Sequence, residues 1–314
     1  LLHNMKILYA FQGTGNGHLA RAQEIIPILK KHADVDTLMS GHQSQLKSDF
    51  HLDFQYQGIS LLYNKSGGLS YAKTFSENSF VRAIINDFEP ITTWAGKSAQ
   101  LPVIEVSHQA AMKFKETPKP KEKDWLGKMV LQYYAPSKEK IGFHFETYHP
   151  KIKTPIIRKK IRTLDALQGA HYLVYLPSYS DHILLNILQA IAVPWKVFSK
   201  YAKSYSKIGN VEIFPIDENY FLQAFATCAG VLCNAGFEMP SEALFLGKKL
   251  FVIPIQKQYE QACNACALDR LGIHNTKVLS VAAILEWVNS NQRINISYPD
   301  ETEQILVEEV LKFV

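Results

Sequence analysis

Asn234 to Ala265 reads NAGFEMPSEALFLGKKLFVIPIQKQYEQACNA, and this stretch decides the fold. The apolar run before it, ending GVLCN, is a strand that delivers the chain to Gly236, where the missing Cβ permits a tight turn and close approach of a ligand. A helix is expected to start near Pro240, whose fixed φ suits a first helical position. The free N–H groups and positive dipole end of such a helix would face a diphosphate. Glu242, in the first turn of the expected helix, is placed to accept from both hydroxyls of a ribose. The competing role is a carboxylate that only favours its own helix dipole, worth about 0.3–1 kcal/mol. Gly247 stops the helix, LFVIP forms the next strand, and QKQYEQACNA opens another helix. Gln258, Glu260, Gln261 and Asn264 there are candidates for pairing sugar hydroxyls, against the alternative of amides on a solvated helix. Glu238 is an extra carboxylate at the same turn.

Working outward, the same alternation extends through the second half. Strands are expected at Tyr172 to Pro177, Trp195 to Ser199, Val211 to Phe214, Gly230 to Asn234 and Leu250 to Ile253. Helices are expected at Asp181 to Ile191, Tyr220 to Thr227, Pro240 to Phe245 and Glu260 to Leu271. The first half repeats the theme: KILYAF, a glycine-rich turn, and a helix over His18 to Lys31 with Leu19, Ala22, Ile25, Ile26 and Leu29 on one side. Strands follow at Val35 to Met39, Phe54 to Ile59, Ile84 to Asn86 and Val103 to Val106. Alternating strands and helices predict α/β architecture, two Rossmann-like doubly wound domains facing across a cleft, with the division at 1–163 and 164–314. A chain of 314 residues also exceeds the size at which one core stops growing. The passage SFVRAIINDFEP leaves little room for a crossover helix before its strand, which suggests residues omitted near 82–84.

The glycine turn of the first half is GTGNGH, with Gly13, Gly15 and Gly17 as candidate phosphate-contacting positions and His18 where a GxGxxG fingerprint carries its third glycine. Asp36 lies about where a ribose-binding acid would stand, so spacing alone leaves a dinucleotide site open. Asp34 and Asp36 also form a DxD, but at the N-terminal end of their strand, away from the rim where ligands gather. At that rim stand Asp87 and Glu89, in INDFEP, and His108, after IEVS. A histidine in a cleft can take the proton of an attacking hydroxyl, typically contributing about 10²–10⁴ in rate. His18 is the leading candidate, as base or acceptor binder, against a helix N-terminal residue that only packs. Asp87 or Glu89 would orient its imidazole or serve instead, the alternative for each being a loop-capping side chain.

Charge is uneven. Lys113 to Arg162 holds fourteen Lys and Arg against five Asp and Glu, giving +9 there and −4 elsewhere from a total of +5. With WLGKMVLQYYAP (Trp125 to Pro136) inside it, this segment suits an anionic membrane surface or a lipid-phosphate acceptor, or else a solvated loop. No nucleic-acid motif accompanies the charge. No apolar run is long enough to span a membrane, and the opening LLHNMKILYAF lacks the features of a signal peptide, so the expected location is the cytosol, at the inner face of the membrane if the basic segment docks there. The four cysteines are expected to be reduced and buried rather than zinc ligands, despite the CxxC of Cys263 and Cys266.

The Asn234–Ala265 stretch resembles the donor-binding signature of inverting GT-B glycosyltransferases, the superfamily of the N-acetylglucosaminyltransferase that makes lipid II and its uncharacterised bacterial and archaeal relatives. The shared pattern is a Gly, five residues, a Glu, a Gly-Lys or Gly-Pro turn, a strand ending in Pro, and a Gln before Asn-Ala. The resemblance implies that Glu242 binds the ribose, Gly236 lies near the phosphates, and Glu260 and Gln261 reach the sugar. GTGNGH similarly resembles GTGGH, where the loop closes over the donor phosphates and the histidine is a catalytic candidate. Retaining GT-B enzymes carry a second glutamate eight positions before this one; here that position is Asn234, which implies inversion. The implied activity is hexosyl transfer from a nucleotide sugar, UDP-linked, to a hydroxyl acceptor, lipid-linked in the lipid II case, with no metal or other cofactor. A non-hydrolysing UDP-sugar epimerase and a non-catalytic scaffold of the same fold are the alternatives.

Overall fold

A computed structural model of the chain describes residues 6–41, 48–56, 81–122, 124–292 and 294–314. They fall into two units, Leu1–Thr117 with Asp124–Ile156 and Pro299–Val314, and Pro118–Lys123 with Ile157–Tyr298. The division expected at 163/164 therefore lies at 156/157, because Ile157 and Ile161 are already buried and Arg158 is ion-paired within the second unit. The chain also returns: residues 299–314 belong to the first unit rather than the second. Ile305, Leu306, Val310 and Leu311 are buried there, and Glu303 pairs with Lys31 at 3.0 Å and His32 at 3.3 Å at the end of the first helix.

The first unit runs β1 (Lys6–Gln12), α1 (Asn16–His32), β2 (Asp34–Ser40), β3 (Phe54–Tyr56), β4 (Val81–Asp87), α2 (Pro90–Ser98), β5 (Val103–Ser107), α3 (His108–Met112), α4 (Trp125–Tyr133), β6 (Glu139–Phe143) and β7 (Ile152–Lys153). Its sheet has the order β3-β2-β1-β4-β5-β6-β7 and is parallel throughout. Ile7 to Phe11 are all 0% exposed, as a central strand covered on both faces requires. β4 runs from Val81 to Asp87 and pairs with β1, its register shifting between Val81 and Ala83. The connection from β3 to β4 and the end of the strand expected to reach Ile59 lie outside the described residues.

In the second unit come α5 (Lys159–Arg162), β8 (Tyr172–Tyr175), α6 (Asp181–Leu188), β9 (Trp195–Ser199), β10 (Ser206–Ile208), β11 (Val211–Pro215), α7 (Glu218–Thr227), β12 (Gly230–Asn234), α8 (Glu238–Phe245), β13 (Lys249–Ile253), α9 (Tyr259–Arg270), β14 (His274–Asn275) and α10 (Val281–Asn289). The order is β10-β11-β9-β8-β12-β13-β14, parallel except for the β10 hairpin. Its core is aromatic, with Tyr172, Trp195, Trp287 and Phe251 in contact. Lys248, in the Gly-Lys turn, donates from its buried ammonium to the carbonyls of Leu167, Ala226 and Cys228 at 2.7, 2.6 and 3.0 Å, closing the C-terminal end of α7.

In each sheet the strand order reverses once, between β1 and β4 and between β8 and β12. Open parallel sheets bind ligands outside the carboxyl ends of the strands at such a reversal.

Candidate functional site

At the reversal in the first unit, β1 is followed by a loop that holds Gly13 and Gly15. A Cβ on Gly13 would lie 2.5 Å from the Gly41 carbonyl oxygen, so this glycine lets two loops abut. A Cβ on Gly15 would meet nothing within 4 Å, which leaves room above the loop. Gly15 caps α1 without a side-chain bond, and Gly17 and His18 follow in its first turn, where N–H groups lack helical partners.

His18 projects from that turn to the end of β4. Its Nδ1 lies 3.0 Å from Asp87 Oδ1, in a setting where His18 is 9% and Asp87 0% exposed. Arg21, one turn further along α1, clasps the same carboxylate through Nε to Oδ2 at 2.9 Å and through a terminal nitrogen to Oδ1 at 3.0 Å. Burial alone would push the Asp87 carboxyl up; Arg21 and His18 outweigh it and hold the group below the usual carboxylate value. A carboxylate only accepts, so in this contact Nδ1 is the donor to Asp87. Among the described residues Nε2 has no hydrogen-bond partner. Neither the sequence motif nor its spacing pointed to Arg21, although a residue three after His18 shares its helix face.

Asp87 is followed by Phe88, whose φ of 56° is an outlier for a bulky residue. Asn86 holds this turn, its amide accepting from Glu89 N at 3.0 Å and donating to Glu89 O at 2.7 Å. Glu89 is spent on a helix cap: its oxygens accept from Ile91 N, Thr92 N and the Thr92 hydroxyl at 3.0, 2.7 and 2.7 Å. Burial pushes its carboxyl up. His108 opens α3, 1% exposed, with Nδ1 2.7 Å from the Phe143 carbonyl and its ring against His144. Glu89 is thus engaged by its own helix cap, and His108 Nδ1 by the Phe143 carbonyl.

At the second reversal, Gly236 follows β12, and a Cβ there would again meet nothing within 4 Å. α8 starts at Glu238, two residues before Pro240, because a proline within the first turn gives up no helical hydrogen bond. Glu238 thus occupies the first turn and Glu242 the second. Glu242 is 3% exposed and is held bidentately by Arg158, Nε to Oε1 at 2.6 Å and a terminal nitrogen to Oε2 at 2.9 Å. Arg158 is a second residue that sequence reading missed: TPIIR is unremarkable and its partner lies 84 positions away. Of the sugar-binding candidates, Asn264 donates to Ala235 O at 3.1 Å and Gln261 accepts from Ile255 N at 2.9 Å, so both brace the loops around the turn. Gln258, at the start of α9, is exposed, and Glu260 is half-buried in its first turn.

The cysteines are free thiols, and burial pushes Cys228 up to about 11 and Cys263 to about 12. No group of three or more His, Cys, Asp or Glu with metal-binding geometry occurs among the described residues. Asp36 of the DxD pairs with Lys6 at 3.0 Å.

Residues 70–290, more than half of the chain, match the model of a family described as glycosyl transferase family 1. The chain belongs to this family. No curated protein matches the transferase. Among solved structures it is similar to MurG of Acinetobacter baumannii, at TM-score 0.61 and 15% identity over 98% of this chain and 99% of that one. It is also similar to Phytolacca americana UGT2, complexed with UDP-2-fluoro-glucose and pterostilbene, at TM-score 0.60 and 12% identity over 100% and 94%. A UDP-N-acetylglucosamine 2-epimerase matches at TM-score 0.59 and 11% identity over 99% and 96%. These likenesses establish the transferase as GT-B in fold.

Proposed function

We propose that this transferase moves a hexosyl group from a UDP-sugar to a hydroxyl acceptor with inversion at the anomeric carbon. The observation that carries the reading is the buried His18–Asp87 pair at the reversal of the first sheet, with Nε2 available as a base. The acceptor hydroxyl gives its proton to Nε2 as its oxygen attacks the anomeric carbon. The bond from that carbon to the diphosphate oxygen breaks on the opposite face, and UDP leaves. Asp87 orients the ring and stabilises the imidazolium that forms.

The donor belongs to the second unit. The N-terminus of α8 and the space above Gly236 suit the diphosphate, with the N–H groups and the helix dipole taking up the leaving group's charge without a resident metal. Glu242 suits the ribose: a carboxylate has about four lone-pair positions, so the bidentate arginine leaves it able to accept from hydroxyls. Glu238, Gln258 and Glu260 are the side chains assigned to the sugar, with Gln261 and Asn264 shaping the loops that carry them. In the first unit, Gly13, Gly15 and Gly17 form the loop assigned to the phosphate side of the donor.

A peripheral position at the inner face of an anionic membrane, with a lipid-linked acceptor, rests on α4. Of the basic segment, Lys113 is buried against Glu105 at 2.6 Å, Lys151 pairs with Glu139 at 3.1 Å, and Lys153 pairs with Glu309. The exposed apolar part of the segment is on α4, where Trp125, Leu126, Met129 and Tyr133 are 69, 58, 48 and 62% exposed beside the exposed Lys128. Trp94, 48% exposed with Lys97 over its ring, bonds to the Tyr134 carbonyl at the end of that helix. Aromatic groups with flanking lysines suit a lipid headgroup region. Among the described residues, no helix is long and apolar enough to cross a membrane.

Thermal shift with a panel of UDP-sugars tests the donor assignment, since a ligand at 100 times its dissociation constant stabilises a fold by about 2.7 kcal/mol. The shift is expected in the wild type and lost in Glu242→Ala. No shift with any nucleotide sugar would favour a scaffold, and conversion of the nucleotide sugar without acceptor would favour an epimerase.

A further inference from the structure

The base proposed above sits in a cluster that is larger than a histidine and a carboxylate, and the third member changes its electrostatics. A buried carboxylate facing only an imidazole favours the protonated ring, and an imidazolium cannot take a proton from an acceptor. Here Asp87 is already matched by a guanidinium with two bonds, at 2.9 and 3.0 Å, and a terminal nitrogen of Arg21 lies 3.3 Å from His18 Nδ1. One fixed positive and one fixed negative charge therefore offset each other beside the ring. Protonating His18 would leave a net positive charge among groups that are 9, 4 and 0% exposed, for His18, Arg21 and Asp87. The other titratable group on this face is Tyr9 of β1, two positions before Phe11, the register partner of Asp87. Its hydroxyl is buried and has no hydrogen-bond partner, and burial pushes it well above its ordinary value, so it stays an uncharged phenol. The charged groups at hydrogen-bond distance from the imidazole are Asp87 from β4 and Arg21 from its own helix.

We infer that Arg21 is a positioning residue that acts through Asp87, fixing the carboxylate in place and offsetting the charge it presents to His18, so that the carboxylate orients the ring without a net negative charge drawing a proton onto it. The inference rests on the reading of His18 as the base. Its geometry has a reason in the fold: His18 and Arg21 are one turn apart on α1, and the strained turn at Phe88 brings Asp87 between them. A merely structural arginine would hold Asp87 without governing the protonation of the ring.

The test is the titration of His18 in the intact protein by NMR with labelled histidine, the signal assigned by its loss in His18→Gln. Removing the positive charge in Arg21→Gln is expected to raise the proton affinity of His18 by about tenfold or more, since an unopposed carboxylate at this distance shifts a neighbour by about one to three units. Arg21→Lys, which keeps the charge, is expected to stay within about twofold of the wild type. If Arg21→Gln fails to fold, the pair Asp87→Asn and Asp87→Asn/Arg21→Gln serves instead. There the arginine charge is unopposed in the first and absent in the second, and His18 is expected to hold its proton more tightly in the double variant. A His18 midpoint that Arg21→Gln leaves in place, or that is equal in the two Asp87→Asn variants, overturns the inference. Because the readout needs no substrate, a chain without transferase activity would sink the proposed function and leave this result standing. With activity in hand, the acid limb of kcat/KM is expected to move to higher pH in Arg21→Gln and to stay in Arg21→Lys.

Discussion

The two sheets each place a buried carboxylate at the reversal of strand order, Asp87 in the first unit and Glu242 in the second, 0 and 3% exposed. Each is clasped bidentately by an arginine, Arg21 and Arg158. The difference is what else meets the carboxylate. Asp87 also faces the imidazole of His18, whereas Glu242 stands in the second turn of α8. In the proposed reading one clamp serves two ends: with a histidine it orients a base, and in α8 it holds an acceptor of hydrogen bonds for the donor.

The largest expected effect separates the two. His18→Ala should lower kcat by about 10²–10⁴ while UDP-induced thermal shift is unchanged, measured by initial rates and melting curves on the same preparation. Unaltered turnover would remove His18 as base. Breaking the other clamp should do the reverse kind of damage: Arg158→Met leaves Glu242 charged and unpaired, and should cost about 3–5 kcal/mol of stability in denaturant titrations, together with UDP binding. Arg158→Lys should recover much of the stability.

Glu89 sharpens the contrast with Asp87, since both are buried carboxylates at the same strand end. Glu89→Ala removes an N-cap and should cost about 0.5–2 kcal/mol with no change in the pH dependence of turnover. Asp87 also has a sign that can be checked. Its folded-state value is held below the ordinary 3.8, so its contribution to stability is fully present above that value and lost as pH falls through the lower folded one. Acid unfolding curves of Asp87→Asn should therefore lack a component that the wild type shows below about pH 4. The smallest effect is at the surface: replacing Trp125 and Tyr133 by serine should weaken sedimentation with anionic vesicles, leaving stability within about 0.5 kcal/mol, as exposed positions do. Equal sedimentation would remove α4 from the membrane proposal.

Most of the sheet framework was legible in the sequence because buried parallel strands read as apolar runs. β9 and β12 match expectation to the residue, and β4 and β8 differ only at their ends. β6 and β7 were hidden in the basic segment, since Lys140 and Lys153 mask short strands; Lys153 is matched by Glu309, and Lys151, just before β7, by Glu139 of β6. The return of 299–314 to the first unit was hidden for a similar reason: its contacts with α1 join residues about 270 apart, and no local periodicity encodes them. In the candidate site, the glycines, His18, Asp87 and Glu242 stood out by motif, whereas Arg21 and Arg158 did not. Each arginine is defined by a partner 66 or 84 positions away, which only the fold supplies.

The most direct test of the central claim is the anomeric configuration of the product formed by the full chain from a UDP-α-sugar and a hydroxyl acceptor, read by NMR. The account predicts a β-linked product that forms only when acceptor is present. An α-linked product, or sugar conversion without acceptor, would contradict it.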